Sequence, residues 1–221
     1  MGQTGTGRVA VKRQDQREER TWWDLEAGED GRYKTRIWGG DGTQAQIGPT
    51  MSAILDNIEM VMARVAATHV LEIGCGPGRL LRPLAFAHPT ISFAGIDISP
   101  SMVALGNPWP NNVTTETFDG RYFSKLDLFA ATKFDVIYSV EVFQHLNHET
   151  VELFLRQAKK VLKPNGRIIF QFVEGIDEDT FVCHPASFVQ VAGWLREANL
   201  TVEYGWEPHQ IHDEWTWVVA Q

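Results

Sequence analysis

Three glycines at alternate positions in Glu72-Ile73-Gly74-Cys75-Gly76-Pro77-Gly78-Arg79 follow directly on Val70-Leu71-Glu72-Ile73, a short run that reads as a buried strand. A turn free of Cβ atoms lets a ligand approach the backbone closely, and at the carboxyl edge of a parallel sheet its N–H groups point outward. A mononucleotide-like or dinucleotide-like ligand is the expected occupant. The dinucleotide fingerprint requires a third glycine where Arg79 stands, which argues against a nicotinamide cofactor. Glu72, at the strand end, would set negative charge against a pyrophosphate and suits a ligand that carries an ammonium group. Asp97, 19 residues past Gly78, ends a second strand just before Ser99-Pro100. A carboxylate there can accept hydrogen bonds from both hydroxyls of a ribose.

The best candidate for a general base is His145, in Glu141-Val142-Phe143-Gln144-His145-Leu146 immediately after a fourth strand. Imidazole is the side chain whose ordinary pKa lies nearest neutrality. Glu141 is a candidate ligand contact, and His184, in Phe181-Val182-Cys183-His184-Pro185, is a second histidine that could reach an acceptor pocket. His209, His212, Asp213 and Glu214 have metal-ligand chemistry, yet Trp206 to Trp215 reads more simply as a polar connection between two strands, so no metal is expected. Cys75 and Cys183 make no Cys-x-x-Cys pair, which leaves neither a disulfide framework nor a thiolate zinc site. Cys75 reads as an inert small residue of the glycine loop.

The elements that must position these groups alternate. Strands are predicted over Val70 to Ile73, Ile91 to Ile96, Val113 to Phe118, Phe134 to Val140 and Arg167 to Val173, with two more over Leu200 to Trp206 and Trp215 to Val219. Ser99-Pro100 opens a helix with an N-cap and a first-turn proline. Val151, Phe154, Leu155, Ala158, Val161 and Leu162 form a helical stripe that stops at Lys163-Pro164-Asn165-Gly166, and Ser187 with Gln190 makes a capping box for the next helix. Met51, Ile54, Leu55, Ile58, Val61, Met62 and Val65 recur at helical spacing. Strands alternating with helices imply βαβ units on a mostly parallel sheet.

Upstream, residues 1–20 lack apolar residues at any useful period and read as a flexible, solvated tail. Residues 21–48 combine Trp22, Trp23 and Trp38 with Gly39-Gly40-Asp41-Gly42 and read as an irregular aromatic cap or lid. The chain has 221 residues, 43% apolar and 22% charged, enough for one domain with an elaboration. No apolar run spans a bilayer, and neither a secretory leader nor a membrane partner is expected; the two unpaired cysteines point to a reducing cytoplasm. A net charge of -8 disfavours bulk nucleic-acid binding, which needs clustered Lys and Arg.

Glu72-x-Gly74-x-Gly76-x-Gly78, Asp97 ending strand two, Phe118-Asp119-Gly120 ending strand three, Phe134-Asp135-Val136 opening strand four and Leu162-Lys163-Pro164-Asn165-Gly166 before strand five together resemble the class I S-adenosylmethionine-dependent methyltransferases of small molecules. The resemblance covers roughly residues 50 to 220. It implies an α/β, Rossmann-like doubly wound fold, with a mostly parallel seven-stranded sheet whose last strand is antiparallel, preceded by the aromatic N-terminal cap. The methyltransferase domain would occupy residues 49–221, and S-adenosylmethionine would lie over the carboxyl ends of strands one to four, leaving as S-adenosylhomocysteine. By position, Gly74, Gly76 and Gly78 would approach its methionine part and ribose. Glu72 would order the loop or the bound amino group, Asp97 would take the ribose hydroxyls, and Asp119 the adenine amine. Cys75, Ile98, Met102, Phe118, Gly120 and Val140 complete the implied cofactor-binding set.

In the resembled family the loop that holds His145 borders the transferred methyl group. Methyl transfer from a sulfonium is an in-line displacement, so alignment, exclusion of water and a base for the acceptor's proton are what a protein supplies. The acceptor is expected to be an oxygen or nitrogen of a small molecule. Amino-methyltransferases of nucleic acids place Asn or Asp before Pro-Pro and an aromatic after strand four, where this chain has Ser139-Val140-Glu141-Val142. Asn107-Pro108-Trp109-Pro110 is only superficially similar and falls between strands two and three. Two rival readings are a nicotinamide-dependent oxidoreductase of related architecture and a subunit that binds the cofactor without catalysis.

Overall fold

A computed structural model describes residues 16–28, 44–129, 132–175, 183–203 and 215–221. Its helices and strands run α1 (Gln16–Gly28), α2 (Gln44–Arg64), β1 (His69–Ile73), α3 (Leu81–Ala87), β2 (Ser92–Asp97), α4 (Pro100–Leu105) and β3 (Val113–Thr117), then β4 (Phe134–Ser139), α5 (His148–Val161), β5 (Leu162–Val173), α6 (Phe188–Glu197) and β6 (Trp215–Ala220). Single 3-10 turns cover Phe123–Lys125, Asp127–Phe129 and Phe143–His145.

The strands form one sheet in the order β3-β2-β1-β4-β5-β6, parallel except for β6. Side chains of consecutive strand residues leave opposite faces, and this alternation builds two cores. Leu71, Ile137, Ile168, Phe170 and Val218 pack with α5 and α6, whereas Val70, Val136, Tyr138, Ile169 and Val219 pack with α2 and α3. A sheet covered on both faces is the doubly wound arrangement that the alternating elements imply. Because β1 continues to β2 on one side and neighbours β4 on the other, the order reverses between β1 and β4. Crevices at such reversals are where ligands bind.

The helical signals form the expected caps. Ser99 accepts from the Met102 amide at 3.0 Å, Asn147 from Thr150 at 2.9 Å, and Ser187 with Gln190 forms the capping box. The stripe from Ile54 to Met62 is buried on α2, which begins at Gln44, ahead of the stripe.

Three sequence expectations change. Six strands form the sheet among the described residues, and the seventh expected strand is met there only in part. Beyond β6, Val202 bridges antiparallel to Ala220 where a further strand was expected over Leu200 to Trp206, and residues 204–214 lie outside the described set. The tail does not extend to residue 20, since α1 begins at Gln16, and the cap over 21–48 is helical at both ends. No apolar stripe of α1 betrayed it, because the helix is held by polar contacts at its inner face, described below. Finally, β5 begins at Leu162, opposite Phe134, five residues before Arg167. Among the described residues no helix is long and apolar enough to cross a membrane.

At the amino edge of the sheet Asp135 Oδ2 accepts from the Thr68 and His69 amides at 2.8 and 2.9 Å and from Lys163 Nζ at 2.8 Å. Burial pushes its pKa up, but these donors outweigh it and hold the carboxyl below its ordinary value. Asp135→Ala is expected to cost about 2 kcal/mol in urea unfolding at neutral pH, since two amides lose their acceptor. With the native pKa depressed, that advantage is present above the ordinary carboxylate range and disappears as the pH falls below it, so the two unfolding midpoints should converge in acid.

Candidate functional site

The glycine turn is bent back onto the end of β2. Gly74 and Cys75 both donate their amides to the Ile96 carbonyl, at 2.8 and 3.0 Å, and Gly76 donates to Asp97 Oδ2 at 2.8 Å. Gly74, Gly76 and Gly78 all have positive φ, the left-handed region that side chains rarely adopt. Their surroundings differ. A Cβ on Gly74 would overlap Val142, and one on Gly78 would enter the Trp109 ring, whereas one on Gly76 would meet nothing within 4 Å. Gly76 alone of the three leaves its Cβ position open, and Gly74 and Gly76 both line a cavity of about 390 Å³.

Among the residues expected to hold the cofactor, Glu72, Gly74, Cys75, Gly76, Asp97, Ile98, Met102, Phe118, Gly120 and Val140 line this cavity, as does His145. Two do not. Gly78 lies behind the wall beneath Trp109, and Asp119 uses Oδ1 to cap its own turn, accepting from the amides of Arg121 and Tyr122 at 2.8 and 3.0 Å. Cys75 sits with its sulfur against Gly95, where a Cβ would approach within 2.9 Å of Sγ. Burial first, then the nearby Asp97 and Glu72 carboxyls, push its thiol well up, so it stays neutral and unreactive.

The wall is acidic. Glu72, on β1, is 3% exposed and accepts from the Tyr138 hydroxyl at 3.0 Å. Burial raises its pKa to about 8 against the lowering effects of Tyr138 and Arg79. Asp97 accepts from Ser99 N through Oδ1 at 2.8 Å, and burial raises it to about 6. Glu19, on α1, is raised to about 7 by burial and by the Asp97 charge. Arg79 is the one Lys or Arg among the described residues of the wall, and it is ion-paired with Glu141.

The loop after β4 forms the opposite side. Ser139 Oγ donates to the Ile73 carbonyl at 3.0 Å, tying the end of β4 to the glycine turn. Glu141 has φ +58°, and its amide donates to Gln171 Oε1 at 2.9 Å. Gln171 Nε2 donates to Gln144 Oε1 at 2.7 Å, and Gln144 Nε2 lies 3.4 Å from His145 Nε2. His184 reaches this loop through its backbone, donating its amide to the Gln144 carbonyl at 2.7 Å, but its side chain is not part of the cavity wall.

Helix α1 closes the top. Asp24 Oδ1 accepts from Ser99 Oγ at 2.6 Å and from the Ser101 amide at 3.3 Å, placing a carboxylate at the N-terminal turn of α4. Trp22 and Trp23 both line the cavity, edge to face with centroids 4.6 Å apart, and Trp23 meets the His145 ring at 6.0 Å. Sequence reasoning found the tryptophans but missed Glu19 and Asp24, which stand in a run of mixed charge without periodicity. It met Arg79 only as a missing glycine, and it passed over Gln171, an isolated polar residue inside an apolar strand. Trp38, His209, His212, Asp213 and Glu214 fall outside the described residues, as do 176–182 of the expected acceptor segment.

Residues 71–168 match a family model described as a methyltransferase domain. The chain is similar to the tRNA (guanine-N(7)-)-methyltransferase of Enterococcus faecalis, 33% identical over 113 residues covering 46% of this chain and 51% of that protein. It is also similar to the ubiquinone biosynthesis O-methyltransferase of Azorhizobium caulinodans, 33% identical over 101 residues covering 45% and 38%. The chain thus spans about half or less of these relatives' lengths. In structure it resembles the magnesium protoporphyrin IX methyltransferase of Synechocystis with bound S-adenosylmethionine, with a TM-score of 0.68 at 17% identity, covering 96% of this chain and 99% of that one. At that identity the likeness speaks to the fold.

The acidic wall carries a signature in stability. A carboxyl whose folded pKa is raised contributes stability that is complete below its unfolded value and is lost as the pH climbs through the folded one. For Asp97, Glu19 and Glu72 that window runs from about 4 up to about 6, 7 and 8 respectively. The ligand-free protein should therefore lose stability between pH 5 and 8. In Glu19→Gln the decline should be shallower, as read from urea midpoints across that range; an identical slope would remove Glu19 from the cluster.

Proposed function

We propose that the chain is a class I S-adenosylmethionine-dependent methyltransferase, built on the methyltransferase domain matched over residues 71–168, and that it transfers a methyl group from S-adenosylmethionine to an oxygen or nitrogen of a small molecule. The observation that carries this reading is the pairing of an open Gly76 with a buried Asp97 across the β1 and β2 ends. Each Asp97 oxygen already accepts one backbone amide, from Gly76 or Ser99, and a carboxylate offers about four acceptor positions. The acceptor capacity that the backbone leaves unused suits the hydroxyls of a ribose. Burial keeps Glu72 largely protonated in the empty cavity, and a bound ammonium group near the methionine end would favour its ionised form. The cavity volume is within the range of cofactor and small-ligand sites, roughly 300 to 1,000 Å³.

The bound cofactor supplies an electrophilic methyl on a sulfonium. The protein aligns and dries. Trp22, Trp23, Phe118 and Val140 contribute apolar wall, while His145 stands on the side formed by the loop after β4, positioned to take the proton that an acceptor hydroxyl or amine must lose. A pyrophosphate would meet Glu19, Glu72 and Asp97 with Arg79 already engaged by Glu141, which disfavours the nicotinamide alternative. The same carboxyls disfavour a nucleic-acid backbone, supporting a small acceptor. No disulfide joins Cys75 and Cys183, which supports a cytoplasmic location.

Calorimetry with S-adenosylhomocysteine and NADH tests the assignment. The first should bind and the second should not, and Asp97→Ala should weaken binding by about 1 to 3 kcal/mol through the loss of charge-assisted hydrogen bonds. Unchanged affinity in that variant would take Asp97 out of the ribose site.

Helix α1 is the second part of the proposal. We read it as the lid of the cavity, anchored by Asp24 on Ser99 and opened by releasing that contact. Limited proteolysis should then cut within residues 20–48 of the free protein and be suppressed by S-adenosylhomocysteine, most strongly with an acceptor present. Equal cleavage with and without ligand would make α1 a fixed wall.

A further inference from the structure

Gln171 is fully buried in β5, and its amide joins two segments of the loop after β4. The chemistry of this chain of contacts has a direction. The Glu141 amide can only donate, so the Gln171 atom 2.9 Å away must be the carbonyl oxygen. Its other end is then the NH2 group, and the Gln144 atom 2.7 Å from it must be an oxygen. That leaves the Gln144 NH2 facing His145 Nε2 at 3.4 Å. A donor facing a ring nitrogen is satisfied by a lone pair there, which favours the neutral imidazole with its proton on Nδ1.

We propose that Gln171 is a positioning residue that, through Gln144, fixes His145 as the neutral imidazole with an unprotonated Nε2. The proposal rests on the assignment of His145 to the acceptor side of a methyltransferase site. A neutral imidazole with a lone pair on Nε2 can take a proton from an acceptor O–H or N–H, and an imidazolium cannot. The contact that occupies this lone pair is the longest in the relay, beyond the usual 2.7 to 3.2 Å for N–H donors. An acceptor hydroxyl or amine can therefore displace it at little cost, while the two shorter bonds behind it keep Gln144 oriented. The relay starts at Glu141, whose left-handed backbone aims its amide into β5 and whose carboxylate holds Arg79. The conformation of the loop and the protonation of its histidine are thus set by one buried side chain.

Two substitutions in the full-length protein test the direction of the relay. Gln144→Glu keeps an acceptor for Gln171 Nε2 but turns the end facing His145 from donor to acceptor. Gln171→Leu removes the group that orients Gln144, leaving it free to present either end. Long-range proton–nitrogen correlation spectra of the imidazoles identify the tautomer, with the His145 signals assigned by their absence in His145→Gln. The parent protein should show the proton on Nδ1, Gln144→Glu should move it to Nε2, and Gln171→Leu should give a mixture. A proton on Nε2 in the parent, or an Nε2 left unprotonated in Gln144→Glu, would overturn the proposal, as would the parental tautomer in a folded Gln171→Leu. If Gln171→Leu does not fold, Gln144→Glu decides the question alone. Calorimetry with S-adenosylhomocysteine on the same parent sample separates the two levels: loss of binding there would defeat the methyltransferase reading and leave the tautomer result intact.

Discussion

The bend of the chain from Gly74 to Gly78 is the constraint on which the site depends. A strand running into a helix must turn, but here the turn doubles back so that two amides share the Ile96 carbonyl and a third reaches Asp97. That geometry needs positive φ at three positions and close approach at two of them, which only residues without Cβ provide. Neighbouring elements conform to it. Gly95 makes room for Cys75 on β2, Ser139 ties β4 to Ile73, and Trp109 seals the back of Gly78. The cavity is what remains in front of Gly76 once those contacts are made.

Three carboxyls gathered around one cavity are unfavourable to the empty protein, since each is desolvated and their charges repel. A structure selected for stability alone would place apolar or paired groups there. Their presence, with Arg79 tied to Glu141, gives the cavity a surplus of negative charge. A ligand with ammonium and sulfonium centres would be drawn by that surplus and would relieve it. Local destabilisation of this kind marks sites where binding, not folding, decides which residues are kept.

The glycine-turn side of the cavity was legible in the sequence because its chemistry is local. Glycines at fixed offsets, a carboxylate at a strand end and a proline at the first turn of a helix each declare a backbone conformation within a few residues. Asp119 shows the limit of that legibility. Its place after β3 suited an adenine contact equally well, yet the turn 119–122 uses Oδ1 for its own amides, a local competition that spacing alone does not decide. The six-stranded count among the described residues and the early start of β5 are likewise matters of pairing across the sheet, which composition does not encode. Helix α1 was missed for a related reason: it docks through Asp24 and Glu19 and through two tryptophans, so it lacks the apolar stripe that periodicity detects.

The opposite side is built from long-range contacts and was correspondingly obscure. Glu141 and Gln171 are 30 residues apart, Gln144 and Gln171 are 27 apart, and Ser99 meets Asp24 across 75 residues. None of these pairs forms a motif, because a hydrogen bond between distant segments constrains geometry but not sequence spacing. This division has a consequence for specificity. The half that we assign to the cofactor is specified by backbone that many sequences can reproduce. The acceptor half is specified by individual side chains on α1, β5 and the loop after β4, any of which can change without disturbing the glycine turn. On the proposed reading, discrimination among acceptors would reside in Trp22, Trp23, Gln144 and His145, which line the cavity, and in the contacts that orient them.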